Sequence, residues 1–155
     1  MGKDAKFMQA AIDDALKGIR KGNGPFGAAI TKNWKLVAVA HNTVMQDHDP
    51  TCHAEMNAIR KACRKLGTNN LDGCVIYSTA EPCPMCFAAI HWARISKVVY
   101  GCTAEDAAKI GFDDVRFYDI MRGKSKDTIA NQRAYRGACI KLFEAWVKKP
   151  THELY

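Results

Sequence analysis

Apolar residues at Phe7, Ala11, Ile12, Ala15, Leu16 and Ile19 are interleaved with Lys6, Asp13, Asp14, Lys17 and Arg20. That 3.6-residue period predicts an amphipathic helix over residues 4–21. Gly22-Asn23-Gly24-Pro25 stops it on steric and conformational grounds. The next apolar runs, Phe26 to Thr31 and Leu36 to Ala40, flank Lys32-Asn33 and predict two strands joined by a short turn. His41 to Pro50 is polar and reads as a loop. A second amphipathic helix opens at Thr51 or Cys52 and runs to Leu66, with Ala54, Ala58, Ile59, Ala62, Cys63 and Leu66 inward. Gly67 ends it.

Cys74 to Ser78 is a buried-strand run, residues 83–93 read as a helix, and Lys97 to Tyr100 as a strand. This β-α-β order predicts two parallel neighbouring strands with a right-handed crossover. Thr103, with Asp106 three residues on, predicts a capped helix over 104–110. Gly111-Phe112-Asp113-Asp114 follows as a loop, and from Val115 to Arg136 no period holds, which suggests a short helix and a linker. Ile140, Leu142, Phe143, Trp146 and Val147 restore helical spacing over 138–148, Pro150 closes that helix, and Thr151 to Tyr155 is a tail.

The length of 155 residues suits one domain, with 115–155 as its C-terminal linker, helix and tail. The net charge of +7 permits phosphate binding, but the basic residues form no dense block, which argues against nucleic acid as the main partner. No stretch has the length of a membrane span, and Met1 to Lys6 holds no apolar run for a signal peptide. The seven cysteines lack the spacing of a secreted disulfide scaffold, so Cys63, Cys74, Cys102 and Cys139 are expected in a core and the chain in the cytoplasm.

Cys83 and Cys86 differ. Three residues apart in Pro82-Cys83-Pro84-Met85-Cys86, they sit at a strand-to-helix junction, where a helix N-terminus favours thiolates. Two thiolates so placed hold a cation or form a disulfide, and a C-P-x-C pair alone also fits a thioredoxin-like redox site. His53-Ala54-Glu55 upstream tips the balance, because His53, Cys83 and Cys86 together suit zinc. Cys52, next to His53 on one helix turn, would point about 100° away and makes a poor fourth ligand. Glu55, beside the ion rather than on it, is placed as a proton shuttle. The spacing favours a hydrolytic zinc site with one position open to water.

These residues match the H-x-E…P-C-x-x-C signature of zinc deaminases, and over residues 1–115 the chain resembles the cytidine deaminase-like superfamily. The resemblance implies a three-layer α-β-α fold around a five-stranded mixed sheet. It implies zinc on His53, Cys83 and Cys86, proton transfer by Glu55, and a role for the Cys83 N–H in holding the attacking oxygen. Pro25-Phe26-Gly27-Ala28, Asp49-Pro50-Thr51, Glu81-Pro82-Cys83-Pro84-Met85-Cys86 and above all Gly111-Phe112-Asp113-Asp114 are similar to bacterial guanine deaminases, as is the terminal Tyr155. On that likeness guanine is hydrolysed at C2 to xanthine and ammonia. Asn42 and Ala54 bind the purine, Phe26 and His41 wall its pocket, and Asp114 accepts from N1–H and the amino group. The C-terminal helix is implied to exchange between the subunits of a homodimer, with Tyr155 closing the neighbour's site.

Other readings stay open. Asp114 alone reads as a loop acid or helix cap, Asn42 as a turn residue, and Phe26 and Trp92 as core. A tRNA adenosine deaminase shares the zinc signature and would use the basic charge, but such enzymes carry Pro-Val-Gly-Ala where this chain has Pro25-Phe26-Gly27-Ala28. Met56-Asn57-Ala58-Ile59 resembles deoxycytidylate deaminases. Guanosine or cytosine as substrate, and a non-enzymatic zinc or dithiol module, complete the alternatives.

Overall fold

The computed structural model describes every residue except Met1, Lys3 and His152, so the N-terminal and tail readings at those three lie outside the described residues. The chain runs α1 (Ala5–Arg20), β1 (Gly27–Lys32), β2 (Lys35–His41), α2 (Val44–Asp47), α3 (Ala54–Leu66), β3 (Cys74–Ala80), α4 (Pro84–Trp92) and β4 (Lys97–Cys102). It continues with α5 (Ala104–Lys109), α6 (Asp114–Met121) and α7 (Arg136–Val147).

The strands form one mixed sheet in the order β2-β1-β3-β4, with β1 antiparallel to both neighbours and β3 parallel to β4. The described residues thus carry four strands, where the resemblance implies five. After Cys102 no further run of alternating apolar residues exists to pair with β4, and the next apolar periods are helical. β4 is left as an edge with most of its residues exposed. The hairpin turn falls on Asn33-Trp34, both with positive φ as a two-residue turn of this hand requires.

Strand alternation sends one set of side chains to each face. On one face Ala29 and Tyr77 meet Phe7 and Ala11 of α1. On the other, Ala28, Ile30, Ala40 and Ile76 pack against Ala54, Ala58 and Ala62 of α3 and Ile90 of α4. The alanines let α3 lie close on the sheet, so its first turn abuts the C-terminal end of β3, where α4 begins. Helix α3 opens later than the sequence suggests: Thr51 and Cys52 belong to the loop, and Thr51 is held there by Asp49. The polar stretch after His41 contains the single-turn helix α2, too short to show a period.

Three core expectations fail. Cys102 ends the edge strand and Cys139 lies on α7, and both are exposed. Trp92, at the end of α4, is 61% exposed. Helix α7 buries none of its residues, and its Leu142 and Phe143 are each 68% exposed. Among the described residues no helix is long and apolar enough to cross a membrane.

Candidate active site

Two helix N-termini converge at the C-terminal end of β3. His53 is the N-cap of α3 and Cys83 the N-cap of α4, each with extended backbone. Pro84 occupies the first turn of α4, where its missing N–H removes nothing and its fixed φ suits the helix. One turn further along, Cys86 is fully buried. Both cysteine sulfurs approach the same imidazole nitrogen: Cys83 Sγ lies 3.5 Å and Cys86 Sγ 3.6 Å from His53 Nδ1.

The three ligand atoms all lie within 4.8 Å of one another. For a tetrahedral ion with metal–nitrogen bonds of about 2.05 Å and metal–sulfur bonds of about 2.3 Å, the nitrogen–sulfur edge is roughly 3.6 Å. The observed separations match it, so this donor set fits one tetrahedral soft ion. Cys52 is not part of it; its sulfur lies 3.7 Å from Arg60 Nη1.

The electrostatics favour a shared negative charge. The hydrogen bond from Cys86, with help from His53 and against the cost of burial, brings Cys83 down to about 4. That same bond and burial push Cys86 up. The hydrogen bond with Cys83 raises His53 against the opposing effect of burial. Glu55, buried, is raised by desolvation, although Ser78 Oγ donates to its Oε1 at 2.9 Å. Its Oε2 lies 3.5 Å from Cys86 Sγ.

A cavity of about 30 Å³ opens over this cluster, lined by Phe26, Asn42, His53, Glu55, Ala80, Glu81, Cys83, Phe112 and Asp114. Phe26 and Phe112 meet edge to face, their centroids 4.7 Å apart. Asn42 Oδ1 accepts the Val44 N–H at 3.1 Å, which leaves its Nδ2 donor for the cavity. Asp114 opens α6; burial raises its carboxyl, as does the charge of Cys83, while His53 opposes them. Tyr118, one turn along α6, donates its hydroxyl to the Pro82 carbonyl at 2.6 Å. Burial and the surrounding acids push that hydroxyl up to about 12, so it remains a donor.

The structure therefore gathers His53, Glu55, Cys83, Cys86, Asn42, Phe26 and Asp114 around one cavity. Ala54 is fully buried, its side chain in the core, so only its backbone at the start of α3 is left to face a ligand. His41 does not wall the cavity. Its Nδ1 pairs with Asp14 of α1 at 2.8 Å. Asn42 follows it directly, and consecutive extended residues point to opposite faces; a wall at Asn42 excludes one at His41. Within the chain, Tyr155 is not brought to the cavity either. It packs against Trp92 at 5.6 Å between centroids and takes a hydrogen bond from Arg94, beyond the far end of α4 from Cys83. Glu81, Phe112 and Ala80 line the cavity without having been assigned roles from sequence. Glu81 and Phe112 stood inside the family-like stretches, which was the available signal. Glu81 also accepts the Ala104 N–H at 3.0 Å, tying α5 to the cavity wall.

Residues 1–102 match the family described as the cytidine and deoxycytidylate deaminase zinc-binding region. The chain is similar to the guanine deaminase of Bacillus subtilis (strain 168), 42% identical over 142 residues, which span 90% of this chain and 91% of that one. It is also similar to the tRNA-specific adenosine deaminase of Aquifex aeolicus (strain VF5), 46% identical over 100 residues, 64% of this chain and 66% of that one. Among solved structures, the guanine deaminase from Bacillus subtilis superposes with a TM-score of 0.92 at 39% identity, over 100% of this chain and 99% of that chain.

Proposed function

Since this chain belongs to the cytidine and deoxycytidylate deaminase zinc-binding family, we propose that it hydrolyses guanine to xanthine and ammonia as a zinc-dependent aminohydrolase. The observation that carries this reading is the strength of the likeness to guanine deaminase over nearly the whole chain, 42% identical over 90% of it. The likeness to tRNA-specific adenosine deaminases is either shorter, 64% of the chain for that of Aquifex aeolicus, or weaker, 30% identical over 94% of the chain for that of Buchnera aphidicola. The substrate-selecting candidates Phe112 and Asp114 lie beyond the family-matched region, in the part that the guanine deaminase likeness includes.

His53, Cys83 and Cys86 would hold the zinc, in keeping with their spacing and their soft donors. When bound, zinc supplies a Lewis acid that makes a water molecule a nucleophile near neutral pH. Glu55 takes a proton from that water, passes it to ring nitrogen N3 beside C2, and delivers the second proton to the departing amine. Water minus its protons ends as the C2 carbonyl oxygen, and the amine leaves as ammonia, so atoms balance. The Asp114 carboxylate accepts from N1–H and the amino group, and Asn42 Nδ2 donates to an acceptor on the purine's other edge. Phe26 supplies an aromatic wall, and the Ala54 N–H, unpartnered within the first helical turn, offers a further donor.

The functional form is proposed to be a homodimer in which α7 and the tail exchange. The exposed Leu142 and Phe143 support this, since a helix carrying such an apolar surface must cover it. An apolar groove edged by Phe87, Ile90, Val98, Tyr100 and Met121 offers matching surface. In that arrangement Tyr155 would close the partner subunit's cavity. Seven unpaired cysteines fit a reducing, cytoplasmic setting.

The test is a panel of guanine, guanosine, adenine, cytosine and a tRNA anticodon hairpin with zinc-loaded protein. Xanthine and ammonia from guanine are expected. Inosine in the hairpin with no xanthine from guanine would overturn the reading in favour of the tRNA alternative.

A further inference from the structure

The cavity has a backbone donor whose direction is set from outside it. Pro82 and Cys83 share one planar trans peptide, so the Pro82 carbonyl and the Cys83 N–H point in opposite directions. The carbonyl faces the groove on the outer side of α4, where Tyr118 also lies, and accepts the Tyr118 hydroxyl at 2.6 Å. Cys83 lines the cavity, and among the described residues its N–H has no protein acceptor. We propose that Tyr118 is a positioning residue that, through the Pro82 carbonyl, aims the Cys83 N–H into the cavity at the oxygen attacking C2. This inference rests on the deaminase reading above.

Two features make this peptide need an anchor. As N-cap, Cys83 gives its carbonyl to the Phe87 N–H at 2.8 Å, but its own N–H stands outside the helical ladder, so no bond within α4 fixes the plane of the peptide before it. Pro82 has no N–H of its own to tether the segment from the other side. Tyr118 supplies the tether from a regular element, α6, which holds a side chain more tightly than a loop does. A hydrogen bond at the carbonyl also polarises the amide and strengthens the same peptide's N–H as a donor. Asp114 and Tyr118 are four residues apart and lie on one face of α6. One contact therefore seats the helix that carries the substrate acceptor and aligns the donor across the cavity from it.

The test compares Tyr118→Phe with Arg122→Ala in the zinc-loaded protein. Arg122 lies 5.2 Å from the Tyr118 ring, so its removal disturbs the ring's surroundings and spares the hydroxyl. Deleting an oxyanion donor outright costs about 100-fold or more in kcat. Misaiming one is expected to lower kcat roughly tenfold in Tyr118→Phe, with KM within about twofold, zinc retained, and Arg122→Ala near wild type. The amide 15N resonance of Cys83 should move in Tyr118→Phe and stay in place in Arg122→Ala. An unmoved Cys83 resonance, or a Tyr118→Phe enzyme with wild-type kcat, would overturn the proposal. Absence of xanthine from the wild-type protein would instead sink the guanine reading, and the Cys83 resonance would still decide the role of Tyr118.

Discussion

The Ser78 hydroxyl donates to Glu55 Oε1 at 2.9 Å, and both residues are almost fully enclosed, at 1% and 6% exposure. Ser78 stands on the face of β3 that Cys74 and Ile76 turn toward α3, so it is a polar side chain on an otherwise apolar face. A buried hydroxyl persists there because it has a partner, and a buried carboxyl because it has a donor. Ser78→Ala deprives Glu55 of that donor without changing the shape of the strand. It is expected to cost about 1–3 kcal/mol of folding stability, read as a lower urea midpoint. An unchanged midpoint would mean that the carboxyl finds an equivalent donor.

Glu55→Gln separates shape from proton transfer. The amide keeps the size of the carboxyl and can still accept from Ser78, but it cannot carry a proton between water and ring nitrogen. Zinc content should stay near one per chain while kcat falls by roughly 100- to 10,000-fold, the span assigned to general acid–base catalysis. A variant that keeps both zinc and wild-type turnover would remove Glu55 from the proton path.

Asp114→Ala probes the other end of the cavity. Asp114 is more than one helix away from the metal donors in sequence yet lines the same cavity. Loss of its acceptor leaves guanine N1–H and the amino group unpaired, and a buried donor without a partner costs about 1–3 kcal/mol. The fall in kcat/KM should be at least about tenfold with zinc retained, and the same kinetics as wild type would clear Asp114 of contact with the substrate.

What the sequence made legible follows from how local each signal is. His53, Glu55, Cys83 and Cys86 could be read because their spacing places them in the first turns of two helices, and helix starts carry residue-level signals. The capping box at Thr103 and Asp106 formed as read, Thr103 Oγ1 accepting the Asp106 N–H at 3.3 Å. Ser78 and Tyr118 escaped because each owes its role to a partner 23 or 36 residues away that no period announces. His41 was misplaced although strand alternation could have ruled it out once Asn42 was assigned to the cavity. The exposure of α7 was invisible because an apolar helical period states that a face needs covering, and says nothing of what covers it.

The pair that took His41 away from the cavity gives a pH dependence. Burial alone would raise the Asp14 carboxyl, but the hydrogen bond and charge of His41, aided by Lys17, outweigh it and hold Asp14 below its ordinary value. A carboxyl with a depressed folded-state pKa binds protons less readily folded than unfolded, so unfolding takes up protons at low pH. Its stabilising contribution is full above the unfolded value of about 3.9 and disappears as pH falls through the lower folded value. Asp14→Asn should therefore be less stable than wild type at pH 6, with the gap narrowing steadily below pH about 4. Urea titrations across that range test it; a gap that stays constant with pH would assign the loss to packing instead of charge.

Helix α1 is held against the sheet by the absence of an atom. A Cβ on Gly27 would overlap the Ala11 carbonyl and come within 3.0 Å of the Ala15 methyl, while the Gly27 N–H donates to Thr79 Oγ1 at 3.0 Å. The strand cannot retreat without giving up that bond and its pairing on both sides, and the helix cannot retreat without uncovering Phe7 and Tyr77. The obstructing atoms are the Ala11 backbone and the Ala15 Cβ, which no rotamer change can clear. Gly27→Ala is thus expected to cost at least the about 3 kcal/mol at the top of the usual range for overpacking. Gly137, on the exposed α7, has nothing within 4 Å of the same added atom, and alanine there should gain up to about 1 kcal/mol through helix propensity. Thermal unfolding of the two variants side by side distinguishes steric approach from backbone freedom, because equal effects at both positions would mean that Gly27 matters only for its flexibility.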